Sequence, residues 1–208
     1  MRIIGGSARG RTLLAPRGLH TRPTQDAVRE SLCNILRREI PDAVVLDLFA
    51  GSGALALECL SRGAARAVLV DHARPAMHAI RRNVESAGFT EQAECLCCDW
   101  RAALLRIINE AHTNSAFDLV YLDPPYDRVD LSEVCAALVA GGLLADGALI
   151  VVEHRTGSPP ATRPPLIEED ARRYGDTTIT LLRFDPKPGM KIRKEKEKDA
   201  HCHLSGQL

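Results

Sequence analysis

The stretch FDLVYLDPPY, residues 117 to 126, constrains the fold more than any other part of the chain. Phe117 to Leu122 is mostly apolar on both faces of a strand, the signature of a parallel sheet covered by helices on either side. Pro124 and Pro125 cannot donate to a ladder and fix φ near −65°, so the strand must stop beyond Asp123. Asp123, Pro124, Pro125 and Tyr126 are thereby set at the carboxyl edge of a sheet, where open α/β folds bind ligands.

Around this strand, helix and strand signals alternate. Apolar strands are expected over Val44 to Phe49, Ala67 to Val70, Ala93 to Cys97 and Ala148 to Glu153. Helices are expected over Ala54 to Arg62, closed by Gly63, over Pro75 to Ala87, stopped by Gly88, and over Trp100 to about Ala111 and Leu131 to Val139. A Pro-rich loop, RTGSPPATRPP, stands where a further helix is expected, and Ile167 to Tyr174 with Thr177 to Phe184 reads as an antiparallel hairpin around Gly175-Asp176. The fold class is α/β: a doubly wound, Rossmann-like, seven-stranded and mostly parallel sheet with an antiparallel edge hairpin and a small N-terminal arm. Before it, RIIGGSARGRTLLAP reads as two short strands around a turn. Thr24 to Ile40 reads as a helix with Thr24 at its N-cap, its apolar face carrying Val28, Leu32, Ile35 and Leu36, and Arg29 turned elsewhere.

This divides the chain into a basic arm and helix at 1–40, a body at 41–185 and a tail at 186–208. The tail holds all five lysines and is too polar to order itself. Residues 1–38 carry eight arginines against Asp26 and Glu30, a net +6, while 39–186 carry 13 arginines against 22 acids, a net −9. A basic arm on an acidic body suits a phosphate backbone held locally, with Arg9, Arg11 and Arg17 as the expected contacts. Seven cysteines, at 33, 59, 95, 97, 98, 135 and 202, lack paired metal-ligand spacing and read as small core residues, so no metal is expected. No apolar run approaches a membrane span and no signal segment opens the chain, so a cytoplasmic, monomeric protein is expected.

The chemistry lies in VVLDLFAGSGALALE. Asp47 ends a strand. Phe49, Ala50, Gly51, Ser52 and Gly53 form a turn in which glycine lets backbone approach a ligand at a helix N-terminus. Asp71, at the tip of the next strand, can accept from both hydroxyls of a ribose. This much is shared with NAD-binding proteins. Asp99, beside Trp100, closes the third strand and Asp123 the fourth, so four carboxylates converge on one edge. S-adenosylmethionine (SAM), with its hydroxyls, amines and sulfonium, satisfies them better than a pyrophosphate does. Asp123 and the carbonyl of Pro124 can both accept from a planar exocyclic amine, stabilising the charge that develops on methylation. Tyr126 offers a face for the target base, and stacking is worth about 1–3 kcal/mol.

Taken together, DLFAGSGALALE, DPPY, RIIGGSARGR and RPTQDAVRESLCNIL resemble the RsmD family over about residues 2 to 184. The resemblance implies a SAM-dependent enzyme acting on the N2 amine of a guanine in small-subunit (16S) ribosomal RNA, free or in an assembling subunit. It implies Asp47, Gly51, Gly53, Asp71 and Asp99 around the cofactor, Asp123 to Tyr126 at the base, and Arg22 and Thr24 in an arm that closes over the cofactor. The chain departs from the family at Asp71, where Glu is usual. Competing readings are methylation of adenine N6 in DNA or of a protein glutamine, where Asn usually replaces Asp123, and a binding module without chemistry.

Overall fold

The computed structural model describes residues 1–16, 23–110, 116–125 and 128–187, without the side chains of 23–27. Arg17, Arg22, Tyr126, the side chain of Thr24 and residues 188–208 of the tail lie outside that description. The elements run α1 (Pro23–Ile35), β1 (Val44–Asp47), α2 (Ala54–Ser61), β2 (Arg66–Val70), α3 (Arg74–Ala87), β3 (Ala93–Leu96), α4 (Trp100–Glu110), β4 (Phe117–Leu122), α5 (Leu131–Ala140), β5 (Leu144–Arg155), β6 (Leu166–Tyr174) and β7 (Thr177–Phe184).

Seven strands form one sheet in the order β3-β2-β1-β4-β5-β7-β6. The first five are mutually parallel, and β7 lies antiparallel between β5 and β6. The strand order reverses between β1 and β4, the switch point at which such sheets bind ligands. Asp47 pairs there with Leu69 on one side and Tyr121 on the other, so the loops after β1, β2 and β4 share one edge. Asp118, the polar residue within the β4 run, accepts from the Val44 amide at 2.9 Å and ties the opposite ends of β4 and β1 together.

Two apolar clusters sandwich the sheet. One holds Leu57, Leu69 and Ile80 with Ile3, Ala8 and Leu13 of the arm, Leu32 of the N-terminal helix and Leu36 just beyond it. The other holds Trp100, Leu104, Val134 and Leu138 beneath α4 and α5. The arm therefore shares a core with the body. Its two expected strands reduce to a single antiparallel bridge, Arg2 to Thr12, around a tight turn, because the amides of Ile4, Gly5, Ser7 and Ala8 bond to the body instead.

Several boundaries differ from those read off the sequence. The N-terminal helix starts at Pro23, a residue suited to the first helical position, so Thr24 falls inside the first turn; the helix ends at Ile35, giving way to tight turns through Ile40. Arg29 is buried and donates to the Arg2 carbonyl at 2.6 Å, whereas it was expected away from the packed face. The fifth strand begins at Leu144, running through Gly147, four residues before Ala148. Cys33, Cys59 and Cys135 are buried as expected, but Cys97 is exposed because it follows the last paired residue of β3. Among the described residues no helix is long and apolar enough to cross a membrane, and no group of three or more His, Cys, Asp or Glu could hold a metal.

Candidate active site

The turn after β1 is held from three directions. The Leu48 amide donates to Tyr121 O at 3.2 Å, the Ala50 amide to Val70 O at 2.9 Å, and the Gly51 amide to Asp71 Oδ2 at 2.9 Å. Gly51 has φ 56°, and a Cβ built on it meets nothing within 4 Å, so open space lies before the turn. Gly53 is different. Its φ is 77°, in the left-handed region that favours glycine, and a Cβ there would come within 2.9 Å of Leu69 Cδ2, so packing against β2 adds to the demand for glycine.

Asp71 accepts from the Ala73 amide through Oδ1 at 2.8 Å and from Gly51 through Oδ2. Each oxygen keeps a second lone pair, the capacity needed for two ribose hydroxyls. Asp99 caps α4, its Oδ1 accepting from the Arg101 and Ala102 amides at 2.9 and 3.2 Å. Trp100 is buried in the core beneath α4 with the Arg101 guanidinium 4.3 Å from its ring centre. Phe49 is half-buried, while Ala50 and Ser52 are buried.

Asp47 is 2% exposed. Burial raises its pKa to about 7; the Phe49 amide opposes that rise, and the charge of Asp71 adds to it. At the end of β4, Pro124 is buried while Asp123 and Pro125 reach the surface. Loss of solvent around the Asp123 carboxyl, then the charges of Glu153 and Asp47, hold its pKa well above the carboxylate range, although water at the rim moderates that push. Glu153 was not among the expected residues. Leu122 pairs with Val152, so Glu153 stands level with Asp123, although β5 itself runs on to Arg155.

The polar groups that seat the arm also escaped the sequence reading. Glu58, fully buried, accepts from the Ile4 and Gly5 amides at 2.8 Å each and from Arg62 Nε at 2.8 Å. Ser61 Oγ accepts from the Ala8 amide and donates to the Gly5 carbonyl, at 2.9 and 2.6 Å. Each of these side chains sits at a core position of a helix, and a lone acid in ALALECLS was the available signal. Arg9 and Arg11 are exposed on the arm.

An open cradle before Gly51, spare acceptors on Asp71, and the acids Asp47 and Asp123, whose pKa values are raised by burial first and by neighbouring carboxylates second, all fit a donor-rich, cationic ligand such as SAM. Solved structures share the fold. The Escherichia coli protein yhhF superposes with a TM-score of 0.78 at 34% identity over 90% of this chain and 99% of that one. An O-methyltransferase from Bacillus cereus, solved in complex with SAH, has a TM-score of 0.63 at 15% identity over 81% of this chain and 84% of that one, and shares the fold alone. The sheet order and the glycine turn at its switch point are those of a class I, Rossmann-like methyltransferase. Residues 1–183 match the family described as Conserved hypothetical protein 95. The chain is 39% identical over 170 residues to Ribosomal RNA small subunit methyltransferase D of Escherichia coli K12, covering 79% of each, and 32% identical over 160 residues to the protein of that name from Haemophilus influenzae, covering 76% and 81%. It belongs to the RsmD family of methyltransferases.

Proposed function

We propose that this protein transfers a methyl group from SAM to the exocyclic N2 amine of a guanine in small-subunit ribosomal RNA. The observation that carries the reading is the position of Asp123: it ends β4 beside the glycine turn of β1, between the acids Asp47 and Glu153. Relatives named as small-subunit ribosomal RNA methyltransferases support the choice of RNA.

SAM bound over the turn supplies an electrophilic methyl group. The chain's own residues hold the amine. A planar amine is a poor nucleophile because its lone pair is delocalised, and carboxylate and carbonyl acceptors at Asp123 and Pro124 pin its hydrogens so that the pair can face the methyl. Asp123 also receives the proton that the amine loses, a task suited by a pKa raised toward the working pH. Two prolines in sequence keep the Pro124 carbonyl fixed, and alignment of this kind can lower a barrier by several kcal/mol, roughly 7 at the low end of intramolecular precedents. Tyr126 is assigned the stacking face for the base, Asp71 the ribose, Asp47 the positive end of the cofactor, and Arg22 and Thr24 the closing segment.

The test is methylation in vitro with labelled SAM, using small subunits and stripped 16S RNA from cells lacking the gene, followed by mass mapping of nucleotides. One new N2-methylguanosine in the RNA is expected. Label in adenine N6, in protein glutamine, or in nothing at all overturns the reading.

A further inference from the structure

Asn83 lies inside α3, where asparagine is a poor helix former, and it is 1% exposed, where an amide must find partners. Its three hydrogen bonds all leave the helix. Oδ1 accepts from the Leu14 amide at 2.8 Å, and Nδ2 donates to the Leu14 carbonyl at 3.0 Å and to the Ser52 carbonyl at 2.8 Å. One side chain thus grips the arm and the glycine turn together.

Both grips reach functional surface. Leu14 belongs to the strap that carries the exposed Arg9 and Arg11, and its own side chain is 50% exposed. Ser52 stands between Gly51, whose amide is bound to Asp71, and Gly53, which packs on Leu69. A second contact runs beside the first, from Ser52 Oγ to Met1 Sδ at 3.5 Å, and Met1 O in turn accepts from the Leu13 amide at 3.0 Å. A buried amide satisfied by two segments at once fixes their relative position, since moving either leaves unpaired polar groups in the core.

We propose that Asn83 is a positioning residue that couples polynucleotide binding on the arm to cofactor binding at the glycine turn, so that RNA held by the arm stiffens residues 51–53 and tightens the grip on the cofactor. The inference rests on the function proposed above. Coupling of this kind is reciprocal: the cofactor must tighten RNA binding by the same factor.

The experiment measures the affinity of the full-length protein for S-adenosylhomocysteine by calorimetry, with and without stripped 16S RNA from cells lacking the gene, together with hydrogen exchange at residues 14 and 51–53. In the wild type, RNA should tighten S-adenosylhomocysteine binding at least fivefold, at the low end of usual coupling factors, and should slow exchange in the turn without cofactor present. Asn83→Asp keeps the acceptor for Leu14 and loses both donations. It should bind each ligand alone within about tenfold of wild type, the size of one lost hydrogen bond, while the coupling factor falls to about one. Wild-type coupling retained in Asn83→Asp overturns the assignment. Should that variant not fold, the wild type decides, because RNA that binds without changing either cofactor affinity or exchange in the turn also overturns it. A wild type that methylates RNA but shows no coupling defeats this inference alone, whereas one that neither binds nor methylates RNA defeats the proposed function as well.

Discussion

Glu58 and Asp123 are carboxylates four strand-and-helix elements apart in the chain, and their surroundings are opposite. Glu58 has two backbone amides and a guanidinium at 2.8 Å, and it holds the arm on α2. The charges that bear on Asp123 are those of Glu153 and Asp47, both of its own sign. A carboxylate with donors supplied by the fold is structural, since its desolvation is offset within the chain. One surrounded by acids stores repulsion that only an incoming donor or cation relieves, and such places are where ligands bind. The arm corner is finished by the chain itself; the Asp123 corner, under the proposed function, is left for substrate to complete.

The sharpest way to break this contrast is at Glu58. Glu58→Ala leaves two amides and Arg62 without their acceptor in the core and should cost about 3–5 kcal/mol. For a chain of this size that lowers Tm by roughly 10 °C. Calorimetric unfolding checks it, and a loss below 1 kcal/mol would show the arm to be held by apolar packing alone.

Asp47 should behave in the reverse sense. Its folded pKa of about 7 exceeds the ordinary 3.8, so the folded state binds more protons between those values. Its contribution to stability is whole below about pH 4 and is lost as pH rises to about 7, by on the order of 4 kcal/mol at 1.36 kcal/mol per unit. Asp47→Asn should therefore be more stable than wild type at pH 8, with the advantage gone at pH 4, while its affinity for S-adenosylhomocysteine falls. Parallel pH profiles for the two proteins would mean that the acid is already neutralised by partners within the chain.

Asp123→Ala should lower methyl transfer about 100- to 1,000-fold, the usual loss for one group that stabilises developing charge, with cofactor affinity nearly unchanged. In the wild type, kcat/KM should climb with pH along a limb that lies above the ordinary carboxylate range, because Asp123 must be ionised to accept from the amine. A labelled-methyl assay across pH measures both. Wild-type turnover by the variant would return Asp123 to the structural class of Glu58.

The difference between the corners also explains what could be read from the sequence. Strand-end acids and Asp-Pro-Pro are local patterns, so β4, β7 and the line of acids at the sheet edge were legible residue by residue. The arm partners of Glu58, Ser61 and Asn83 lie 53 to 69 residues away, and no local pattern records a bond of that kind. For the same reason a second demand on Gly53 was not legible: the side chain it lacks would meet Leu69, from a different strand. Glu153 ended the expected strand Ala148 to Glu153 but went uncounted among the acids of the edge, and in the structure β5 continues past it to Arg155.

The smallest expected effect concerns the outer surface of the arm, and it tests whether a corner finished on its inner side is open to a partner on its outer side. Arg29 is committed to the Arg2 carbonyl, which leaves Arg9 and Arg11 as the exposed arginines of the turn, with Arg17 assigned the same role further along. If about four phosphates of a partly single-stranded target are neutralised, log K should fall with log salt at a slope near −3, taking about 0.7 per contact. Arg9→Gln/Arg11→Gln should reduce that slope by about 1.4 and leave affinity for S-adenosylhomocysteine alone unchanged, because both side chains are exposed on the arm. Deleting residues 188–208 should change the slope less, since charges spread along a polar tail give a diffuse attraction that salt screens. RNA binding titrated against salt for the three proteins decides the matter. A tail deletion that flattens the slope more than the arginine pair does would move the RNA contact off the arm, and the arm would then be a structural clasp on both of its sides.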